Sequence, residues 1–186
     1  IGSIDVINNF PYQDIRDYYA KWYRPDLQGI VIVGDINVDE IEAKLKKVFA
    51  DVKAPVNPAE RIYYPVADNQ EPLIYIGTDK EVKNPSVNIF FKQDATPDSL
   101  KNTIAYYATS YMVSMAMNML NNRLNELRQT ANPPFTSAGA EYGEYFLAKT
   151  KEAFSISASS KIDGIDLATK TILEEAERAR RFGFTA

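Results

Sequence analysis

Residues 121–140 read NNRLNELRQTANPPFTSAGA. Leu124 and Leu127 close an apolar series that begins at Leu100. It passes Ile104, Tyr107, Tyr111, Met115 and Met119 (or Leu120) at three- to five-residue steps, the spacing of one helix face. Thr96 and Pro97 supply a start, threonine as N-cap and proline as the first helical residue. The pattern predicts a helix of about 30 residues, roughly 45 Å at 1.5 Å per residue. Asn132-Pro133-Pro134 stops it, because proline has no N–H to donate and crowds the turn before it. Beyond the prolines the period changes. Residues 135–146 (FTSAGAEYGEYF) and 152–161 (EAFSISASSK) alternate small and apolar positions, which predicts two antiparallel strands joined within 147–151. Phe154, Ile156 and Ala158 share one face. A closing helix begins at Asp163 or Asp166, with Ile165, Ala168, Ile172 and Ala176 on its buried side, and ends near Phe182-Gly183.

Upstream, residues 73–79 (LIYIGTD) and 86–94 (SVNIFFKQD) read as strands around a turn at Lys83-Asn84-Pro85. Residues 51–72 hold four prolines and no glycine, the composition of an extended tether between two pieces. The first piece reads helix, strand, helix. Ile15, Tyr18, Tyr19 and Trp22 mark a helix that Pro25 ends. Residues 30–33 (IVIV) predict a short strand buried on both faces. Asn37 with Glu40 three residues on resembles a capping box, ahead of a helix burying Ile41, Leu45, Val48 and Phe49.

The totals remove whole classes of function. The chain has 186 residues, 45% hydrophobic and 25% charged, with a net charge of −4. That gives no electrostatic case for nucleic acid or an anionic membrane. No apolar run approaches the ~18 residues of a membrane span. The chain starts at Ile1 without a basic-then-apolar leader, as a mature chain or a cut piece would. It has no cysteine and no histidine. Disulfides, thiolate sites, cysteine nucleophiles and any histidine base are therefore excluded, and zinc would be left with carboxylates alone. The chain by itself reads as inactive.

Two segments in order carry a family resemblance. WYRPDLQGIVIVGDINVDEIEAKLKKVF (22–49) is similar to a segment of the pitrilysin/insulysin/mitochondrial-processing-peptidase family of zinc metallopeptidases, where a helix leads into a buried "vVGD" strand and a second helix. NNRLNELRQTANPPFTSAGA resembles that family's "sRLyqeLRe…gLaYs" segment. The resemblance covers about residues 1–182. It implies an α+β fold of pitrilysin type, a mixed or antiparallel sheet with long helices packed on one face. It implies residues 1–55 as the C-terminal part of a preceding catalytic-type domain, 56–72 as linker and 73–186 as a non-catalytic domain. The family's HxxEH zinc motif has no counterpart here, so zinc is expected upstream in the parent and no cofactor in this chain. The implied partners are that upstream zinc-bearing domain and an unfolded peptide, with no nucleic acid and no membrane span. The implied role is part of a peptidase chamber wall with peptide contacts. The alternative is a catalytically inactive scaffold or protein-binding module of the same fold, as respiratory-complex core subunits are. The compartment stays open, the bacterial periplasm being favoured over the cytoplasm.

In the family's last domain an arginine followed seven residues later by a tyrosine holds the substrate backbone. Arg128 matches the arginine, but Phe135 stands in the tyrosine's place and has no hydroxyl to donate. Arg128, Phe135 and Arg123 are the candidate substrate-binding residues, and no catalytic or metal residue is assigned. The competing reading of the arginines is favourable charge at a helix C-terminus. Asp39, Glu40 and Glu42 read as dipole-favoured acids of a first helical turn, against a carboxylate dyad. Gly34-Asp35 lacks the further glycines of a dinucleotide fingerprint. Tyr106, Tyr107, Tyr111, Met112, Met115 and Met119 read as core, against a peptide-accepting surface. Residues 178–181 (RARR) read as a solvated helix end, against an anion site.

Overall fold

The computed structural model describes residues 2–146 and 148–184. The chain divides into two compact units, Ile1–Ile62 and Tyr63–Ala186. The first contains helices α1 (Ile4–Asn9), α2 (Tyr12–Trp22) and α3 (Val38–Val48), with a 3-10 turn at Pro25–Leu27. The short α1, which no apolar periodicity announced, is capped by the Ser3 hydroxyl accepting from the Val6 N–H. On α3 the Asn37 side chain accepts from the N–H groups of Asp39 and Glu40, and the acids sit in the first turn as the dipole favours. Arg24 is buried. Its Nη2 donates to the Ala59 carbonyl at 2.7 Å and its guanidinium lies over the Trp22 ring, which ties the start of the proline segment to this unit.

The strand expected at residues 30–33 does not form, and Val31 and Val33 are 86% and 91% exposed. A strand buried on both faces needs neighbours on both edges, and the described residues of this unit contain no other strand. The faces expected to be buried on α2 and α3 are likewise open, Tyr18 and Phe49 among them. Residues 73–79 also remain outside the sheet, with Leu73 to Ile76 all exposed.

The second unit is built on three antiparallel strands, β1 (Ser86–Asp94), β2 (Ser137–Tyr145) and β3 (Ala148–Ser159), in the order β1-β3-β2. Leu147, inside the expected β2–β3 connection, lies outside the described residues. The register aligns Val87 and Ala138 with Ala158, Ile89 and Ala140 with Ile156, and Phe91 and Tyr142 with Phe154. These pairs make one apolar face. On it pack α5 (Ile104–Arg128) through Leu120 and Leu124, and α6 (Ile165–Phe182) through Ala168 and Ile172, with Phe135 between. Each large side chain enclosed there contributes about 1.5–3 kcal/mol. The opposite face carries Asn88, Ser155, Ser157, Gly139 and Glu141. At its end Lys151 is buried between Asp68 at 2.6 Å and Asp94 at 2.7 Å, and Thr150 donates to the Tyr64 carbonyl. Residues 64–68, expected as part of the tether, are thus bonded to the strands of the second unit.

The single long helix is two. α4 (Asp98–Lys101) precedes α5, and the break falls at Thr103, whose backbone is extended. Its hydroxyl donates to the Leu100 carbonyl at 2.7 Å and accepts from the Tyr106 N–H at 3.2 Å. A threonine that satisfies both ends locally competes with continuous helix, which is the reason for the break. The Tyr/Met stripe read as core faces outward instead. Tyr107, Tyr111 and Met112 are more than half exposed, and burial on α5 is confined to its C-terminal half.

Candidate functional site

Beside β2, one of the two edge strands of the sheet, a groove of about 940 Å³ opens between that strand and α5. Asn121 on α5 bridges its inner end. The side-chain Nδ2 donates to the Ala140 carbonyl and Oδ1 accepts from the Ala140 N–H, both at 2.8 Å. One amide therefore occupies the rung that a neighbouring strand would use. It also fixes which way the strand faces: the polar groups of Ala140 point away from β3, so those of Tyr142 and Glu144, two and four residues on, point the same way. Among the described residues nothing pairs with those outward groups. A bulge at Glu144/Tyr145 ends the regular edge.

The floor of the groove holds Glu152, a buried residue on the apolar face of β3. Its Oε1 accepts from the Thr96 N–H at 3.1 Å. Its Oε2 accepts from the Thr96 hydroxyl at 3.3 Å and the Tyr142 hydroxyl at 2.8 Å. Gln93 donates to the same Tyr142 oxygen. Burial, and then the Glu152 carboxylate to which it is bonded, push the Tyr142 hydroxyl up to about 12. A hydroxyl held that high is a hydrogen-bond donor at neutral pH rather than a proton source. Sequence reading missed Asn121, Tyr142 and Glu152. The available signal was parity: Glu152 falls on the same face as Phe154, Ile156 and Ala158, where a charge has to be satisfied.

The three residues singled out in sequence are placed differently. Arg128 lies exposed in the last turn of α5. Arg123 donates through Nε (2.8 Å) and Nη2 (2.6 Å) to Oε2 of the buried Glu175, and so ties α5 to α6. Phe135 is 2% exposed, inside the core. Arg128 alone of the three projects into solvent. Arg180 and Arg181 are paired with Glu177 at 2.7 and 2.5 Å. Among the described residues no three Asp, Glu, His or Cys side chains are grouped to hold a metal ion. None of the described helices is long and apolar enough to cross a membrane.

This is a three-stranded antiparallel α+β unit with two helices on one face and a groove at the edge strand β2, carrying no metal donor set among the described residues. The sequence pattern described as Peptidase M16 inactive domain matches residues 9–186, and the chain belongs to that family. It is 28% identical over 131 residues to the "Probable zinc protease PqqL" of Haemophilus influenzae, covering 68% of this chain and 13% of that protein. It is 27% identical over 136 residues to the "Zinc protease PQQL-like" of Arabidopsis thaliana, covering 73% and 14%. The chain thus spans about a seventh of the length of these relatives. The crystal structure of the periplasmic protease PqqL from Escherichia coli superposes with a TM-score of 0.70 at 20% identity, over 100% of this chain and 20% of that one.

Proposed function

We propose that this chain is a non-catalytic segment of a zinc-dependent endopeptidase that lines the space around an unfolded peptide and holds it by backbone pairing. The observation that carries the reading is the unpaired outer edge of β2 at Tyr142 and Glu144, with a groove of about 940 Å³ alongside it. An extended peptide fits such an edge whatever its sequence, as a peptidase of unfolded chains requires. The zinc site belongs to an upstream domain of the parent, which is also the partner. Exposed, unpaired runs at 30–33 and 73–76 are segments that a sheet outside this chain would take up. In this reading residues 1–55 complete that upstream domain, 56–72 link it and 73–186 form the non-catalytic domain. Arg128 would contact the peptide, with Phe135 anchoring the turn after α5 and Arg123 fixing α5 against α6. The periplasmic location of the Escherichia coli protease supports the periplasm over the cytoplasm.

The test is amide hydrogen exchange of the chain with an unstructured peptide. Protection concentrated at Tyr142 and Glu144 is expected. A peptide that binds while those two amides exchange as before would refute the pairing. A second reading, a scaffold without any peptidase partner, is favoured by the outward Tyr107, Tyr111 and Met112 on α5. An upstream reading frame lacking HxxEH would favour it.

A further inference from the structure

We infer that the groove selects an extended peptide carrying a lysine or arginine, whose cation seats against Glu152. The inference rests on the peptide-holding reading above and adds what the groove prefers.

The first support is the chemistry of Glu152. All three of its hydrogen-bond donors are neutral: one backbone N–H and two hydroxyls. A carboxylate has about four lone-pair positions, so one on Oε1 is left for a further donor. A buried carboxylate surrounded by neutral groups gains most from a cation. Glu175 in the same unit shows the contrast, since Arg123 neutralises it directly at 2.6 Å.

The second support is the charge of the lining. Glu144 and Glu152 share the face of the sheet that borders the groove, and among the described residues that line it the one cation is Lys101. That ammonium is bonded to Asp98 at 2.9 Å. It is held above its usual range first by this bond, with a smaller pull from Glu152. Lys101 is thus held by Asp98, and no ion pair joins it to Glu152. Glu144 is partly answered by Lys149 at 2.8 Å, which leaves the Glu152 end the less compensated.

The third support is reach. A peptide added to β2 lies two strand spacings from β3, about 10 Å. Glu152 covers part of that distance by leaning to the Tyr142 hydroxyl on β2. A long, flexible lysine or arginine stem closes the remainder, and its apolar stretch lies beside Val113 and Tyr106 on α5. A short cationic side chain cannot. Distance thus separates a seated cation from general attraction to an acidic groove.

The experiment measures binding of short labelled peptides to the chain by fluorescence anisotropy. The peptides are otherwise uncharged, with lysine, norleucine or diaminopropionate at one central position. Lysine is expected to bind about tenfold tighter than norleucine, as a charge pair of this kind supports. Diaminopropionate should match norleucine. Glu152→Gln should erase the lysine preference, with far-ultraviolet circular dichroism checking its fold. Lys101→Met, which removes the competing ammonium, should strengthen the preference. Equal binding of lysine and norleucine peptides overturns the cation seat while leaving backbone pairing intact. So does diaminopropionate binding as tightly as lysine. Failure of every peptide to bind overturns both readings.

Discussion

Replacing Arg123 with methionine tests whether that residue holds the molecule together or meets a ligand. Glu175 is 6% exposed, and both Arg123 donors converge on its Oε2 at 2.8 and 2.6 Å. Among the described residues its other cationic neighbour is Arg178, at 3.5 Å on a side chain 59% exposed. Stranding a fully buried carboxylate costs about 3–5 kcal/mol. Arg123 is itself 30% exposed and Arg178 remains, so solvent screening reduces the expected loss to about 2 kcal/mol. In urea, with a slope of about 2 kcal/mol/M, the midpoint should fall by about 1 M. Circular dichroism follows the transition. Adding Glu175→Leu removes the stranded charge and should recover most of the loss, a coupling of about 1–2 kcal/mol. A single variant costing under about 0.5 kcal/mol would refute the argument, since that is the range of a screened surface pair. So would a double variant no more stable than the single. If the double variant regains stability but no longer binds peptide, Arg123 acts at the groove as well as in the core.

Leu124→Ala should cost about 3 kcal/mol in the same assay, because the side chain is 1% exposed between α5 and the sheet. Leu100→Ala, at 52% exposed, should change stability by under about 0.5 kcal/mol. Tyr142 gives a pH dependence whose sign follows from its raised ionisation. The folded chain keeps the neutral hydroxyl up to about 12 where an unfolded one ionises near 10, so this contribution is intact below pH 10 and is lost between 10 and 12. Ultraviolet titration should show one late tyrosine that disappears in Tyr142→Phe; an unchanged late component would sink the assignment.

Much of the second unit was legible in sequence because its signals are local. The strand at 86–94 and the apolar face Phe154, Ile156, Ala158 follow from alternation, and the sheet that unites them follows from the same parity. The stop at Asn132-Pro133-Pro134 follows from proline chemistry, with α5 ending a few residues earlier at Arg128. Failures came where the structural outcome depends on partners. Residues 30–33 have every local property of a strand but no neighbour among the described residues. The Tyr/Met stripe has helical spacing like any core face, and spacing alone does not say which side of α5 meets the sheet. The break at Thr103 turns on one hydroxyl that bonds in both directions. The groove was the least visible part, since tertiary packing brings Asn121 to Ala140 and Glu152 to Thr96 and Tyr142, and both residues look ordinary in sequence. Arg128, Arg123 and Phe135 came from resemblance, and the packing gives each a different setting.

Asn121 has a kinetic consequence. Under the proposed pairing, by filling the rung at Ala140, with the bulge after Glu144 closing the other side, it leaves a peptide two rungs, about 7 Å between their centres. Two rungs offer four backbone hydrogen bonds, each contributing about 1 kcal/mol net. A chain gripped so briefly exchanges register readily and leaves quickly unless a side chain adds to the hold. Under the proposed pairing the edge is cut to the length of a ratchet tooth, long enough to align a passing polypeptide and too short to retain it.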